Sequence, residues 1–200
     1  MTTIAPYGSW TSPITSESMT ASALKLEDVV VDGTDIYWSE QRPNEKGRYA
    51  LMRWTAGGTI AELLPAPWSA RTRVHEYGGA AFTVIDGIAY FQNDADQRVY
   101  RLDGDTPVPL TPDADIRHAD FTFDRGNNRL IAVREDHTTG AAEAVNSIGT
   151  IPLDGSHNGA VLAGGHDFYA TPRVSPDGTQ LAWLSWDHPN MPWDGCELWV

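Results

Sequence analysis

Two stretches of this sequence concentrate side chains that can bind a polar ligand. The first is Arg71-Thr-Arg73-Val-His75-Glu76-Tyr77-Gly78-Gly79. Arg71 and Arg73 could each hold a carboxylate through two parallel N–H donors. Glu76, if partly buried, would attract an ammonium group such as a peptide amino terminus. The competing reading, favoured here, is that Arg73 and Glu76 pair with each other and brace the turn before Gly78-Gly79. The second stretch is Trp186-Asp187-His188-Pro-Asn-Met-Pro-Trp193-Asp194, too apolar for a freely solvated loop. Its tryptophans could line an entrance or meet another domain, since exposed aromatic patches mark interfaces. Equally, they could wedge between packed sheets.

Other chemistry is poorly supported. The histidines stand at 75, 118, 137, 157, 166 and 188, without the short converging spacings of a metal site. Neither a metal nor a cofactor is therefore expected. Ser9, Ser175 and the other serines have no base near them in sequence, although a Ser–His–Asp group is defined by space rather than order.

The elements that position these residues read as strands. Short β-branched or aromatic runs recur: Asp28–Val31, Ile36–Trp38, Ala80–Ile85, Ile88–Phe91 and Leu181–Leu184. Asp32-Gly33, Asp86-Gly87, Gly126-Asn127 and Asp177-Gly178 lie between such runs, and these pairs suit tight hairpins because they tolerate positive φ. A third strand follows each hairpin (Tyr49–Trp54, Arg98–Leu102, Ser147–Leu153, Glu197–Val200), and a fourth follows the first three (Thr59–Leu63, Val108–Leu110, Ala160–Leu162). Thr20–Glu27 could form at most one or two helical turns. A four-strand unit repeated with variable loops describes an all-β propeller of antiparallel blades, with a sandwich of irregular hairpins as the alternative. The expected layout is an extended segment over 1–25 and blades near 26–66, 78–112, 118–164 and 170–200. That makes about three and a half blades, an incomplete ring, with Glu197–Val200 expected to leave an open edge that favours oligomers.

Strand parity then fixes the faces. In an up-and-down blade the connections between blades and those from the second to the third strand emerge at the same end. Residues 71–79 and 186–195 should therefore share one face, opposite the Asp-Gly hairpins.

Composition bounds the partners. In 200 residues, 14 Lys plus Arg face 27 Asp plus Glu, a net charge of −13. That balance disfavours nucleic acid and anionic membranes, which need a basic face. No apolar run approaches ~20 residues, the first 24 residues show no signal-peptide pattern, and the single Cys196 allows no internal disulfide. A cytoplasmic location is expected.

Five segments carry a family resemblance: Arg73-Val-His-Glu-Tyr-Gly-Gly79, Arg134-Glu-Asp-His137, His166-Asp-Phe-Tyr169, Ser175-Pro-Asp-Gly178 and, most specifically, the run from Trp186 to Asp194. Together they resemble the N-terminal propeller of bacterial prolyl oligopeptidase-family serine peptidases, in the acylaminoacyl-peptidase or dipeptidyl-aminopeptidase-like branch with TolB-type blades. The resemblance implies an α/β-hydrolase domain following the propeller and carrying the Ser, Asp and His. It also implies a propeller that gates peptide or acyl-amino-acid substrates. No G-x-S-x-G nucleophile elbow occurs in the sequence, so no catalytic residue carries over and the chain alone should be inactive. Substrate- or domain-facing candidates are Arg71, Arg73, His75, Glu76, Tyr77, Trp186, Asp187, His188, Trp193 and Asp194. A non-catalytic scaffold for protein or peptide partners and a sugar-binding propeller are the alternatives.

Overall fold

A computed structural model describes residues 4–20, 24–156 and 159–200. Four antiparallel sheets follow one another along the chain. Blade one comprises β1 (Lys25–Asp32), β2 (Asp35–Arg42), β3 (Arg48–Trp54) and β4 (Ile60–Glu62). Blade two comprises β5 (Phe82–Ile85), β6 (Ile88–Gln92), β7 (Val99–Asp103) and β8 (Thr106–Pro109). Blade three comprises β9 (Ile116–Asp124), β10 (Arg129–Asp136), β11 (Val145–Pro152) and β12 (Val161–Gly164). Blade four holds three strands, β13 (Phe168–Val174), β14 (Leu181–Trp186) and β15 (Glu197–Trp199). Among the described residues each strand pairs only with its sequence neighbours, and the four sheets form a β-propeller arrangement without a closed ring.

Two local expectations change. One short helix, α1 (Ser16–Thr20), lies in the leading segment, while Lys25–Glu27 belong to β1 rather than to a helix. Residues 21–23, within the Thr20–Glu27 reading, and His157 lie outside the described residues. The Gly126-Asn127 pair is not a two-residue hairpin. Arg125–Asn127 form a 3-10 turn that Asp124 caps by accepting from the Asn127 N–H, and Asn128 takes the left-handed φ of 48°. Asp86-Gly87 does make the two-residue turn, with Ile85 opposite Ile88 and φ values of 51° and 79°. Two successive positive φ angles are what a type I′ hairpin requires.

Strand alternation builds the core between blades, because successive residues face opposite sides. On β10, Leu130 and Ala132 pack with Tyr90, Val99 and Phe121 toward blade two, while Ile131 and Val133 pack with Ile148 and Tyr169 toward blade four. Tyr37 and Leu51 of blade one meet Phe82, Phe91 and Tyr100 of blade two in the same way. Each fully buried Leu, Ile or Phe contributes about 1.5–3 kcal/mol.

The inner strands are also stitched by polar groups. β-bulges fall at Asp28 on β1, beside Asp120 on β9 and beside Thr171 on β13, and all three residues have positive φ. The Asp120 carboxylate accepts from the Ala80 N–H at 3.0 Å and the Thr171 N–H at 3.1 Å, so one side chain joins blades two, three and four. Gly79 makes the approach feasible: a Cβ there would sit 3.1 Å from the Ala119 Cβ and 3.2 Å from Asp120 Oδ1.

Candidate functional site

The hairpins and the longer loops separate to opposite ends. At one end Asp32 accepts from the Gly87 N–H at 2.6 Å and Asp86 pairs with Arg125 at 3.3 Å, so the hairpins of three blades touch. At the other end a cavity of about 900 Å³ is lined by His75 and Glu76 from the connection between blades one and two, and by His188 from the second-to-third-strand loop of blade four. Residues 71–79 and 186–195 therefore meet on one face, as parity requires.

Segment 71–79 is a strap crossing to the far blades. Val74 is fully buried among Ala119, Ile131, Val133, Ile148 and Tyr169. His75 and Glu76 take φ of 55° and 64°, which turns the chain sharply over the cavity. His75 Nε2 donates to the Tyr169 carbonyl at 3.2 Å, and its ring lies 5.3 Å from Phe168 and 6.0 Å from Trp186. The expected Arg73–Glu76 brace is replaced by two longer-range pairs. Arg73 binds Asp94 at 3.0 Å and Glu76 binds Arg117 at 2.7 Å. Charged partners on the blades hold the strap better than a local pair would, because each side chain reaches outward from the turn.

The other candidates divide by position. Arg71 stacks over the Tyr49 ring at 5.8 Å and, with Tyr77, lines a second cavity of about 110 Å³ beside Asp28. Trp186 is buried and stacks on Phe168 at 5.5 Å, whereas Trp193 is 77% exposed. Trp186 is thus packed inside the fold, and Trp193 stands in solvent. Asp187 accepts from His166 Nδ1 at 2.9 Å and from the Asp167 N–H at 2.8 Å, and these bonds hold its carboxyl below the usual range. Asp167 in turn accepts from the His188 N–H at 2.9 Å. Asp194 only closes its own turn, accepting from the Met191 N–H at 3.0 Å.

Several cavity residues were not among the candidates: Glu135, His137, Asn146, His166, Asp167 and Phe168. Arg117, Glu135 and Asn146 sit opposite one another across β9, β10 and β11 and form one row on one face. The Glu135 side chain is only 8% exposed, with Oε2 3.7 Å from Arg117 Nη1 and 3.5 Å from His137 Nε2. A cross-strand row cannot be read before the register is known. The hint in the sequence was Glu135 itself, a charge at the end of an apolar strand core. The described lining carries four carboxylates (Glu76, Glu135, Glu143, Asp167), four histidines and neither lysine nor arginine. Two of these carboxylates, Glu76 and Glu135, have Arg117 beside them.

No family model matches the chain, and no curated protein does. Solved structures do. A puromycin-hydrolysing peptidase from Mycobacterium tuberculosis is 40% identical over 97% of this chain, with a TM-score of 0.86. A puromycin hydrolase is 34% identical over 98% of it, with a TM-score of 0.87. A nidogen/laminin complex, at 15% identity and a TM-score of 0.57, shares the fold alone. The chain spans 32% and 33% of the two peptidase chains, about a third of their length. By this likeness over nearly all its residues, the chain belongs to the prolyl oligopeptidase family and corresponds to the propeller portion of its puromycin-hydrolysing peptidases.

Proposed function

We propose that this propeller gates peptide or acyl-amino-acid substrates on their way to a hydrolase domain, which would perform acyl transfer to a serine. The observation that carries the reading is the meeting of the strap and the blade-four loop around one 900 Å³ cavity, on the face opposite the hairpin turns. Loops held by a rigid scaffold are where binding concentrates, and a cavity of this size is in the range for small ligands. The relatives' names add puromycin, an aminoacyl amide, as a substrate class to try. The chemistry of the reaction would reside outside these 200 residues. We propose a cytoplasmic location and small peptides or acyl-amino acids as the substrates.

A chimera tests this. This chain would replace the matching third of the M. tuberculosis peptidase, and hydrolysis of aminoacyl and peptidyl amides of increasing length would be measured. The expected result is an active enzyme whose length preference shifts when strap residues are changed. An active chimera with strap variants of unaltered length preference would overturn the gating role.

A further inference from the structure

The second, smaller cavity lies on the blade-one side of the strap and is lined by Arg71. The chain has 12 arginines. Among the described residues, every one but Arg71 gives its guanidinium to a carboxylate or a backbone carbonyl. Arg73, two residues further on, is taken by Asp94 at 3.0 Å. In a chain of net charge −13 anionic partners are plentiful, and two carboxylates, Glu27 and Asp28, line the same cavity. Yet Glu27 pairs with Lys25 instead, and Asp28 accepts from the Ala81 N–H at 3.4 Å.

Arg71 is nevertheless held in place. Its N–H donates to the Gln92 carbonyl at 3.0 Å and its carbonyl accepts from Gln97 Nε2 at 3.3 Å, which pins the backbone to blade two. The guanidinium lies over the Tyr49 ring of blade one, 5.8 Å from the centroid. The face of an aromatic ring attracts a cation without using its N–H groups, so five donors in a fixed fork remain for a ligand. A side chain already resting in one place also lowers the ordering cost of binding.

The ligand's chemistry follows from the fork and from the size of the space. A guanidinium matches a planar group with two acceptor oxygens, which a carboxylate presents. A cavity of about 110 Å³ is smaller than the roughly 300–1,000 Å³ of pockets that enclose a small molecule, so it takes one end group and not a whole ligand. Glu27 and Asp28 stand beside it and disfavour a doubly charged anion such as phosphate. We propose that Arg71, laid on Tyr49 at the second cavity, binds the free carboxylate of a ligand, either the C terminus of a peptide or an acidic side chain. This site is separate from the large cavity, so it stands or falls apart from the gating role.

The test is an NMR titration of this 200-residue chain, observing the amides of residues 71–79, with four probes: N-acetyl-alanylalanine, its C-terminal amide, Nα-acetyl-glutamic acid α-amide and inorganic phosphate. Saturable binding of the first assigns the site to C termini, and of the third to acidic side chains. The C-terminal amide should bind about tenfold or more weakly than the acid when C termini are the ligand. Arg71→Gln should weaken carboxylate binding by a similar factor. Arg71→Lys, which keeps the charge and loses the fork, should weaken it less, and Tyr49→Leu, which removes the platform, should weaken it too. Arg125→Gln, the same loss of charge at the hairpin end, should bind like the parent. If Tyr49→Leu fails to fold, the Arg71 variants decide, since that side chain is exposed. The proposal is overturned if neither carboxylate probe binds, if the amide binds as well as the acid and the glutamate derivative does not bind, or if phosphate binds more tightly than both. It is equally overturned if Arg71→Gln binds like the parent, or if Arg125→Gln weakens binding as much as Arg71→Gln does.

Discussion

Arg117 Nη1 stands 2.7 Å from Glu76 Oε1 and 3.0 Å from the Arg73 carbonyl, so one guanidinium on β9 holds a strap 41 residues earlier in the chain. The two ends of this contact differ in environment. The Glu76 side chain is 79% exposed and that of Arg117 is 16% exposed. Arg117 also faces the buried Glu135. Removing Arg117 therefore takes away the strap's anchor and the nearest permanent cation from a buried carboxylate.

Arg117→Ala should lower stability by about 2 kcal/mol, chiefly through the uncompensated Glu135. Glu76→Gln should leave the melting temperature nearly unchanged, because a solvent-exposed ion pair contributes little. Thermal melts of the two variants, with amide exchange at Val74–Gly78, check this. Equal melting losses would mean that the strap is held by the pair itself and not by the buried side of Arg117.

His118 gives a pH-dependent prediction. It is fully buried on β9, neither ring nitrogen has a partner, and burial beside Arg134 depresses its pKa from 6.5 to about 3. The unfolded chain takes up a proton near pH 6.5 that the folded chain refuses. Stability is then fully present above pH 6.5 and falls as the pH drops toward 3, by up to about 1.4 kcal/mol per pH unit from this group. His118→Leu should flatten the acid limb by one proton and be tolerated at neutral pH, since no hydrogen bond is lost. Unfolding by denaturant at pH 7, 5.5 and 4 would show it, and an unchanged pH slope would contradict it.

The blades were legible because their signals are local. The Asp86-Gly87 turn, the β-branched runs around it and the alternation along β10 are each contained in a few residues. The cavity was legible only in part, because His75, Glu76 and His188 stand in unusual loops while Glu135 and Asn146 are ordinary strand residues until their register aligns them. The Arg73–Glu76 brace failed for a related reason. Sequence proximity suggested a local pair, but the left-handed turn at His75 and Glu76 aims the two side chains at different blades. Gly126-Asn127 misled because a capped 3-10 turn uses the same residue types as a tight hairpin.

Asp120 offers a test of how the inner strands are joined. Its carboxylate accepts from two backbone N–H groups on neighbouring blades while its own φ is 57°. Asp120→Ala loses both bonds and keeps the strained backbone, a cost of about 2–3 kcal/mol. Asp120→Gly loses the same bonds but relieves the strain, which should return about 1 kcal/mol of that loss. Chemical denaturation of the two variants should rank glycine above alanine. The reverse order would mean that the bulge is unstrained.

The two tryptophans of the blade-four loop separate packing from recognition. Trp186 is 6% exposed and stacks on Phe168 against His75, so Trp186→Ala should open a cavity costing about 3–5 kcal/mol and loosen the strap. Trp193, 77% exposed, should be replaceable by alanine with no change in melting temperature. If the face is the one that substrates cross, Trp193→Ala in the active chimera should raise KM several-fold while kcat and stability hold. A large aromatic ring left in water on that face has no folding role to explain it, and contact with a ligand or domain is what would give it one. Unchanged KM, kcat and melting temperature together would place Trp193 outside the substrate path and confine recognition to the strap side of the cavity.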